Sequence, residues 1–329
     1  MSKNQDIITD KYLPKKKRNL ELVNFMADKL SEKGIIRMFE CSTFNQFIAT
    51  ENKSNKKMVA SNPCKNRFCP ICTYRKARKD GLMLSILMEA IQQEKNQEFL
   101  FLTLTTPNVN AEDLKKEIDR FNHSFSKLFR RKQIIKSIKG YVRKLEITYN
   151  KERDDYNPHF HVILSVNKSY FTDSDYYISQ EKWLNMWRDV TGLNGITENG
   201  TDEITQLHIA KVRKGVGKNS QGSTISEIAK YSAKDSDMFL SEDIFDVFYS
   251  NLKGRQLLTF NGLFKEYKKK FDNKELEKYF SEDENEYIWK LLATWNQEYQ
   301  KYEQLYELLS DEEFKHFNNK NIVDEMEID

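Results

Sequence analysis

The chain has few of the residues that interrupt or cross-link a fold. Its 329 residues include 5 prolines, 11 glycines and 4 cysteines, so no long low-complexity linker is visible. No apolar run approaches the roughly 20 residues of a membrane span, and the first residues lack the pattern of a signal peptide. We therefore expect a cytoplasmic protein of about two domains, with reduced thiols and no membrane partner.

The four cysteines all lie in the first quarter of the chain. Cys41 stands alone, and Cys64, Cys69 and Cys72 fall in the segment PCKNRFCPIC. The spacing C-x₄-C-x₂-C with one distant cysteine is typical of a tetrahedral four-cysteine zinc site. The alternative is a set of free buried thiols, but the surrounding lysines and arginines favour the thiolate that binds metal. We predict a structural Zn²⁺ site.

Histidine is also scarce, and two of the five histidines lie two residues apart. His159 and His161 occur in NPHFHVILSV, where Phe160, Val162 and Leu164 alternate with the other face of a predicted strand. Residues two apart on a strand point to the same side. Both imidazoles can then hold one metal ion, although a pair of hydrogen-bonded histidines on a half-buried sheet would look the same.

A carboxylate is expected beside these histidines. The segment GYVRKLEITYN, which contains Glu146, reads as a second strand, and the polar linker NKERDDYNP suits a hairpin loop. Antiparallel pairing would place Glu146 next to His159 and His161. Such a set of ligands can polarise a phosphoryl or carbonyl oxygen, and it also serves iron oxygenases. The alternative for Glu146 is a carboxylate that faces solvent.

The segment GSTISEIAKYSAKDSD predicts an amphipathic helix with a second set of chemical groups. Glu227 and Tyr231 are four residues apart and would share a helix face, with Lys234 close to it. A tyrosine hydroxyl can act as a nucleophile when a metal polarises its target and a cation stabilises the developing charge. The alternatives are a capping box formed by Thr224 and Glu227 and a core position for Tyr231.

Charge is distributed unevenly along the chain. Residues 271–329 hold 6 basic and 17 acidic residues, a net charge of −11, whereas residues 1–270 hold 47 basic and 33 acidic residues, a net charge of +14. A basic body with an acidic tail indicates a protein that binds a polyanion. Candidate basic patches lie at 15–18, 75–79, 130–139, 211–218 and 268–270.

Three segments together resemble the ordered motifs of HUH endonucleases. They are FLFLTLTTPNV (99–109), HFHVILSV (159–166) and EIAKYSAK (227–234). The resemblance is strongest to the replication initiators of small rolling-circle plasmids from Gram-positive bacteria, and it covers about 41–270. Only one tyrosine stands at the nucleophile position, unlike in the two-tyrosine initiators.

The resemblance implies a metal-dependent enzyme that nicks and rejoins DNA. His159, His161 and Glu146 would hold Mn²⁺ or Mg²⁺. Tyr231 would attack the origin strand, forming a 5′-phosphotyrosine link and a free 3′-OH, and Glu227 would activate water at termination. The implied partners are plasmid origin DNA with a single-stranded or hairpin nick site, host helicase and DNA polymerase, and a second copy of the chain.

We expect an α+β fold with a central, mostly antiparallel sheet and packed helices. The expected regions are a basic arm and helix (1–40), a Cys₄ zinc-binding and basic region (41–95), an HUH nicking domain (96–270) and an acidic helical tail (271–329). Within them we expect helices near 21–33, 75–95 and 111–130, strands at 99–106 and 204–212, and further helices within 275–317, one of which carries Trp289 and Trp295.

Three other classes of protein remain open. A relaxase or transposase of the same superfamily shares the chemistry, and Glu227 favours a replication initiator over it. A non-enzymatic zinc DNA-binding regulator needs the cysteines and the basic body but not the histidines and Tyr231. A 2-His-1-carboxylate iron oxygenase explains neither the basic body nor the tyrosine helix.

Overall fold

The chain divides into two compact units. The computed structural model describes residues 7–204, 206–213, 220–230, 235–280 and 283–319. One unit combines the residues up to Lys79 with those from Phe280 onward, and the other runs from Asp80 to Tyr279. Both contain an antiparallel sheet and helices, so the predicted α+β class is confirmed. The four regions expected from the sequence stay a prediction.

The helices and strands follow one another in a mixed order. The helices of the described residues are α1 (Leu13–Phe25), α2 (Glu32–Phe39), α3 (Pro70–Lys95), α4 (Ala111–Leu128), α5 (Lys132–Ser137), α6 (Gln180–Thr191), α7 (Gln221–Ala229), α8 (Asp235–Met238), α9 (Glu242–Leu252), α10 (Leu263–Asp272) and α11 (Asp311–Phe317). The strands are β1 (Phe44–Thr50), β2 (Lys56–Ser61), β3 (Gln97–Thr105), β4 (Ile138–Asn150), β5 (Asp155–Asn167), β6 (His208–Lys211), β7 (Leu258–Gly262), β8 (Tyr287–Asn296) and β9 (Lys301–Leu308). None of the described helices is both long enough and apolar enough to cross a membrane.

The first unit is built on a four-stranded sheet of order β2-β1-β8-β9. The predicted helix near 21–33 is wrong in position, because α1 ends at Phe25 and Ser31 caps the start of α2 by accepting a hydrogen bond from the Gly34 amide. The helix predicted to carry Trp289 and Trp295 is also wrong, since both lie on β8.

The physical reason for the second correction is side-chain alternation. Tyr287, Leu291, Ala293 and Trp295 are buried and lie an even number of residues apart, which places them on one face of a strand. In β9 the acidic residues Glu303 and Glu307 occupy exposed positions. The acidic tail therefore contributes two strands to a sheet, and its described helical part is α11 with the residues just before Phe280.

The second unit is built on a five-stranded antiparallel sheet of order β6-β3-β5-β4-β7. The strand predicted at 99–106 is confirmed as β3, and the predicted strand around His208 is the short β6. The predicted hairpin is also present. However, Asn157 and Pro158 lie within β5, and the turn is formed by residues 151–154.

Helices α4 and α6 cover one face of this sheet through aromatic contacts. The Phe121 ring lies 4.7 Å from Phe160 of β5 and 5.1 Å from Trp187 of α6, centroid to centroid. The Arg143 guanidinium lies 4.3 Å from the Phe160 ring centroid and donates a hydrogen bond to Asn122. This layer buries one face of β4 and β5, so the alternate residues of both strands point to the opposite face.

Strands β4 and β7 approach closely where two glycines pair. Gly140 lies opposite Gly262, whose φ is +55°. A Cβ added at Gly262 would lie 2.7 Å from the Gly140 Cα, and one added at Gly140 would lie 2.6 Å from the Leu263 amide nitrogen. Backbone atoms cannot move away as a flexible side chain can, so only glycine fits at this crossing.

We expect Gly262→Ala to lower the free energy of unfolding by about 2–4 kcal/mol, because it adds both a clash and an unfavourable φ. Gly81→Ala is the matched control. Gly81 lies inside α3, where the new Cβ would meet the Ala229 Cβ at 3.6 Å, an ordinary contact, and alanine favours helix. Thermal unfolding of both variants checks this. Equal thermal unfolding midpoints for the two variants would show that the β4–β7 crossing does not require glycine.

Candidate metal centres and active site

The β4–β5 hairpin brings Glu146 and the two histidines together. Its register pairs Glu146 directly with His159 and pairs Lys144 with His161. On the other side of β5, Thr103 of β3 pairs with His161. Glu146, His159 and His161 therefore leave the same face of the sheet, the one opposite α4 and α6. The predicted neighbourhood of these three side chains is confirmed.

The three side chains converge on one point. The Glu146 Oε2 atom lies 3.1 Å from His161 Nε2 and 3.6 Å from His159 Nε2. One ligand atom from each residue lies within 4.8 Å of the others. The Glu146 side chain is 2% exposed, so this carboxylate is not a solvent-facing strand residue.

These residues fit a divalent metal ion. Glu146 Oε2 and His161 Nε2 are both buried, and neither has a hydrogen-bond partner among the described residues. Buried polar atoms without partners are costly unless an ion or water satisfies them. Two imidazoles and one carboxylate are suitable ligands for several divalent metals, with further coordination positions left open.

Neighbouring groups orient the two imidazoles. His161 Nδ1 lies 3.3 Å from the Thr103 hydroxyl, and His159 Nδ1 lies 3.2 Å from the Asn157 carbonyl oxygen. The His161 ring also stacks on Phe101, with 5.5 Å between centroids. Each contact holds Nδ1 so that Nε2 faces Glu146, which is the arrangement that surrounds metal-binding histidines in proteins.

Helix α7 brings a second carboxylate and a lysine to this cluster. Glu227 Oε2 lies 3.9 Å from His161 Nε2. The Lys230 ammonium forms an ion pair with Glu227 and lies 3.3 Å from Glu146 Oε2. Burial lowers the pKa of Lys230, but Glu227 and Glu146 raise it by more, so the net shift is upward. The sequence-predicted Glu227 is therefore in the site.

The groups around Glu146 keep its carboxyl group ionised. Burial raises its pKa, whereas the imidazoles of His159 and His161 and the charge of Lys230 lower it. The lowering effects are larger, so the pKa of Glu146 is held below its usual range. An ionised carboxylate at this position is the form that binds a cation.

Tyr231 and Lys234 lie outside the described residues. The helix that carries Glu227 ends at Ala229, and Lys230 has an extended backbone with ψ 173°. The cap of α7 is Ser220, which accepts a hydrogen bond from the Ser223 amide. The alternative capping box from Thr224 to Glu227 is therefore wrong, because Thr224 is a buried residue within the helix.

Sequence reasoning missed Lys230 and Thr103. Lys230 directly precedes Tyr231 in the third motif, where only its neighbours had been assigned roles. Thr103 lies in the first motif, and its position follows from the pairing of β3 with β5. The motif segments contained both residues, but only strand register and helix position bring them to His161 and Glu146.

The four cysteines form a second cluster, in the first unit. The Cys41 sulfur lies 3.7 Å from that of Cys69 and 3.6 Å from that of Cys72, and the Cys64 and Cys72 sulfurs are 3.6 Å apart. All four are free thiols. A tetrahedral zinc ion with Zn–S bonds of about 2.3 Å separates its sulfur ligands by about 3.8 Å. The spacing of the cluster fits such an ion.

Polar donors surround these sulfurs. The Cys64 amide donates a hydrogen bond to the Cys41 sulfur over 3.3 Å, and the Asn19 side-chain amide donates one to the Cys69 sulfur over 3.4 Å. Hydrogen bonds from Cys41 and Cys64 lower the pKa of the Cys72 thiol, whereas hydrogen bonds within the cluster raise the pKa of the Cys69 thiol. Donors aimed at sulfur stabilise thiolates, which are the form that binds zinc. Asn19 was not anticipated from the sequence.

We expect Glu146→Gln to destabilise the second unit at neutral pH. Because the folded-state pKa of Glu146 is below the unfolded value of about 4.3, its contribution is present above that pH and is lost as the pH falls through the lowered pKa. Without added metal, the loss should be about 1–3 kcal/mol at pH 7 and smaller at pH 3. Denaturant unfolding at both pH values measures it.

Glu152→Gln is the control for this comparison, since Glu152 lies exposed in the β4–β5 turn. Its stability should match that of the wild type at both pH values. An equal loss at pH 3 and pH 7 for Glu146→Gln would mean that the side chain stabilises the unit by packing, not by charge.

The chain is similar to known replication proteins. A family model described as "Replication protein" matches residues 55–303. "Protein rep" of Staphylococcus aureus is 51% identical over 233 residues, which is 71% of this chain and 96% of that protein.

Two further relatives cover more of the chain. "Protein rep" of Streptococcus pneumoniae is 34% identical over 318 residues, 91% of this chain and 96% of that protein. "Protein rep" of Lentilactobacillus hilgardii is 31% identical over 300 residues, 88% and 93% of the two chains. No solved structure matches the chain. By the extent of the family match and of these relatives, the chain belongs to the Replication protein family, the plasmid replication initiators (Rep proteins) of Gram-positive bacteria.

Proposed function

We propose that this initiator is an HUH-type endonuclease that nicks and rejoins the origin strand of its plasmid during rolling-circle replication. One observation carries the proposal. Glu146, His159 and His161 form a buried three-ligand cluster, and Glu227 Oε2 lies 3.9 Å from His161 Nε2 on the helix that precedes Tyr231. An initiator that only bound DNA would need no such cluster.

The cluster would hold Mn²⁺ or Mg²⁺. Such an ion, when bound, polarises the phosphoryl oxygens of the scissile phosphate. Glu146 contributes an ionised carboxylate, and Thr103 and Asn157 hold the imidazoles in orientation. Imidazole ligands suit Mn²⁺ better than Mg²⁺, which prefers oxygen ligands.

Tyr231 is the proposed nucleophile. Its hydroxyl oxygen attacks the phosphorus and loses its proton, the bond from phosphorus to the 3′ oxygen breaks, and that oxygen leaves as a 3′-OH. The products are a 5′-phosphotyrosine link and a primer end for a polymerase. One phosphodiester bond replaces another, so a later attack by a 3′-OH can rejoin the strand and release the tyrosine. Lys234 is proposed to stabilise the developing charge.

Glu227 is proposed to end the reaction by activating water. Its carboxylate lies beside His161 and is held by the Lys230 ammonium, close enough to the cluster to take a proton from a water molecule near the phosphate. A relaxase or a transposase of the same superfamily would share the nicking step. The position of Glu227 beside the cluster favours a replication initiator over these two.

The four cysteines are proposed to hold a structural Zn²⁺ in the first unit. The unit also carries exposed basic residues next to the cluster, including Lys65 and Arg67, and we propose that it takes part in origin recognition.

Other basic patches predicted from the sequence are partly neutralised by ion pairs. Lys136 pairs with Asp175, Arg131 with Asp189 and Lys211 with Glu98. Host helicase, DNA polymerase and a second copy of the chain are the proposed protein partners.

We expect the wild type to nick a supercoiled plasmid that carries its own origin, in the presence of Mn²⁺, and to remain bound to the 5′ end. Tyr231→Phe should bind the origin equally well and form no nicked circles, because it lacks the attacking oxygen. Gel electrophoresis with and without protease digestion measures both products. Tyr299→Phe is the control, since Tyr299 is 63% exposed and lies in the other unit.

The same assay tests the metal ligands. Activity with Mn²⁺ should at least equal that with Mg²⁺, and His161→Ala should abolish nicking with either ion. A strong preference for Mg²⁺ would count against the ligand set. Origin binding without nicking by the wild type would assign the protein to the non-enzymatic zinc DNA-binding regulators.

We expect Glu227→Ala to nick at a rate near that of the wild type but to fail at termination. Without the carboxylate, no group takes the proton from water, so the covalent protein–DNA link should persist and multimeric single strands should accumulate. Glu152→Ala serves as the control. Normal termination by Glu227→Ala would remove the proposed role of Glu227 and leave the nicking chemistry untouched.

A further inference from the structure

A lysine in the first unit is buried next to the cysteine cluster. Lys16 of α1 is 0% exposed. Its ammonium donates hydrogen bonds to the carbonyl oxygens of Phe39, over 2.6 Å, and Cys41, over 2.8 Å. The same ammonium lies 5.9 Å from the Phe39 ring centroid and 5.8 Å from that of Trp295. A lysine in such surroundings is rare, because burial of an unpaired charge is costly.

In the part of the chain that the structure describes, no carboxylate forms an ion pair with this ammonium, and the exposed carboxylate of Glu40 acts on it only at longer range. The hydrogen bonds of Lys16 go to neutral carbonyl groups. Carbonyl groups and aromatic rings satisfy the donors of an ammonium but carry no net negative charge. The larger part of the negative charge that would balance Lys16 therefore comes from another nearby group.

The cysteine cluster is such a group. Lys16 is hydrogen-bonded to the carbonyl of Cys41, whose sulfur lies within 3.7 Å of those of Cys69 and Cys72. Asn19, one helical turn after Lys16 on α1, donates to the Cys69 sulfur. A zinc ion held by four thiolates has a net charge of roughly −2. Within a buried site, that charge also needs compensation.

We propose that Lys16 is the counter-cation of the four-cysteine zinc site and a positioning residue for it. Its ammonium, held on the carbonyls of Phe39 and Cys41, would offset the net negative charge of a zinc ion bound by the four cysteines and thereby retain the metal. The inference rests on the proposed zinc site. It adds that α1 is part of that site, although no residue of α1 is a metal ligand.

A purely structural role makes a different prediction. If Lys16 only joined α1 to the end of α2 through its carbonyl hydrogen bonds, loss of its charge would weaken folding but would not act on the metal through charge. Two neutral variants separate the roles. Lys16→Met keeps the length and the apolar stem of the side chain, and Lys16→Gln keeps a donor for a carbonyl group. Lys17→Met is the matched control, because Lys17 is exposed on the same helix.

The test uses full-length, zinc-loaded protein and a colorimetric zinc chelator at fixed pH. We expect both neutral variants to give up zinc at chelator concentrations about 10–100-fold lower than the wild type does, the range seen when partners of metal ligands are removed. Lys17→Met should match the wild type. Equal retention by the wild type and by a folded neutral variant would overturn the proposal.

Replacement of zinc by iron supplies a second measurement, the reduction potential of the site. A loss of packing alone would not change this potential in a defined direction. A nearby positive charge stabilises the reduced, more negative form of an iron–tetrathiolate site, so the reduction potential should be lower in Lys16→Met than in the wild type and unchanged in Lys17→Met. An unchanged potential in Lys16→Met would also overturn the proposal. If the wild type contained no metal and took up no Zn²⁺, the zinc site itself would be wrong.

Discussion

The antiparallel pairing of β4 with β5 is the constraint on which the candidate active site depends. It places Glu146 directly opposite His159 and sets His161 two residues further along the same face. A shift of this register by one residue would turn the histidines or the carboxylate to the other face, against the aromatic layer of α4 and α6. The long hairpin, paired with β3 and β7 on its two sides, makes such a slip costly.

Each unit carries one cluster of side chains that could hold a metal ion and one lysine beside it. Lys230 contacts two carboxylates, so its positive charge is balanced by acidic side chains of its own unit. Lys16 contacts carbonyl groups and aromatic rings, so its balance depends on the state of the cysteines. The two lysines thus lie in different electrostatic environments, because their neighbours carry different charges.

The local patterns of the sequence predicted much of the second unit. Alternation around His159 and His161 gave β5, the preceding alternation gave β4, and the polar segment between them gave the hairpin that brings Glu146 to the histidines. The same reasoning is wrong for β8, since it predicts a helix where buried side chains alternate along a strand. Its alternation becomes clear only when the buried side chains of the sheet are known.

Spacing of residues along the chain was sufficient to identify both candidate metal clusters. Strand geometry relates His159 to His161, and the short interval between Cys64 and Cys72 requires proximity. The sequence could not show that Lys230, Thr103, Asn19 and Lys16 accompany these residues, since each reaches its cluster from a different element of its unit. Sequence by itself determined the members of the two clusters, because strand alternation and the spacing of the cysteines encode them. The groups that set charge and orientation were decided by tertiary packing alone, since only folding brings distant segments within a few ångströms.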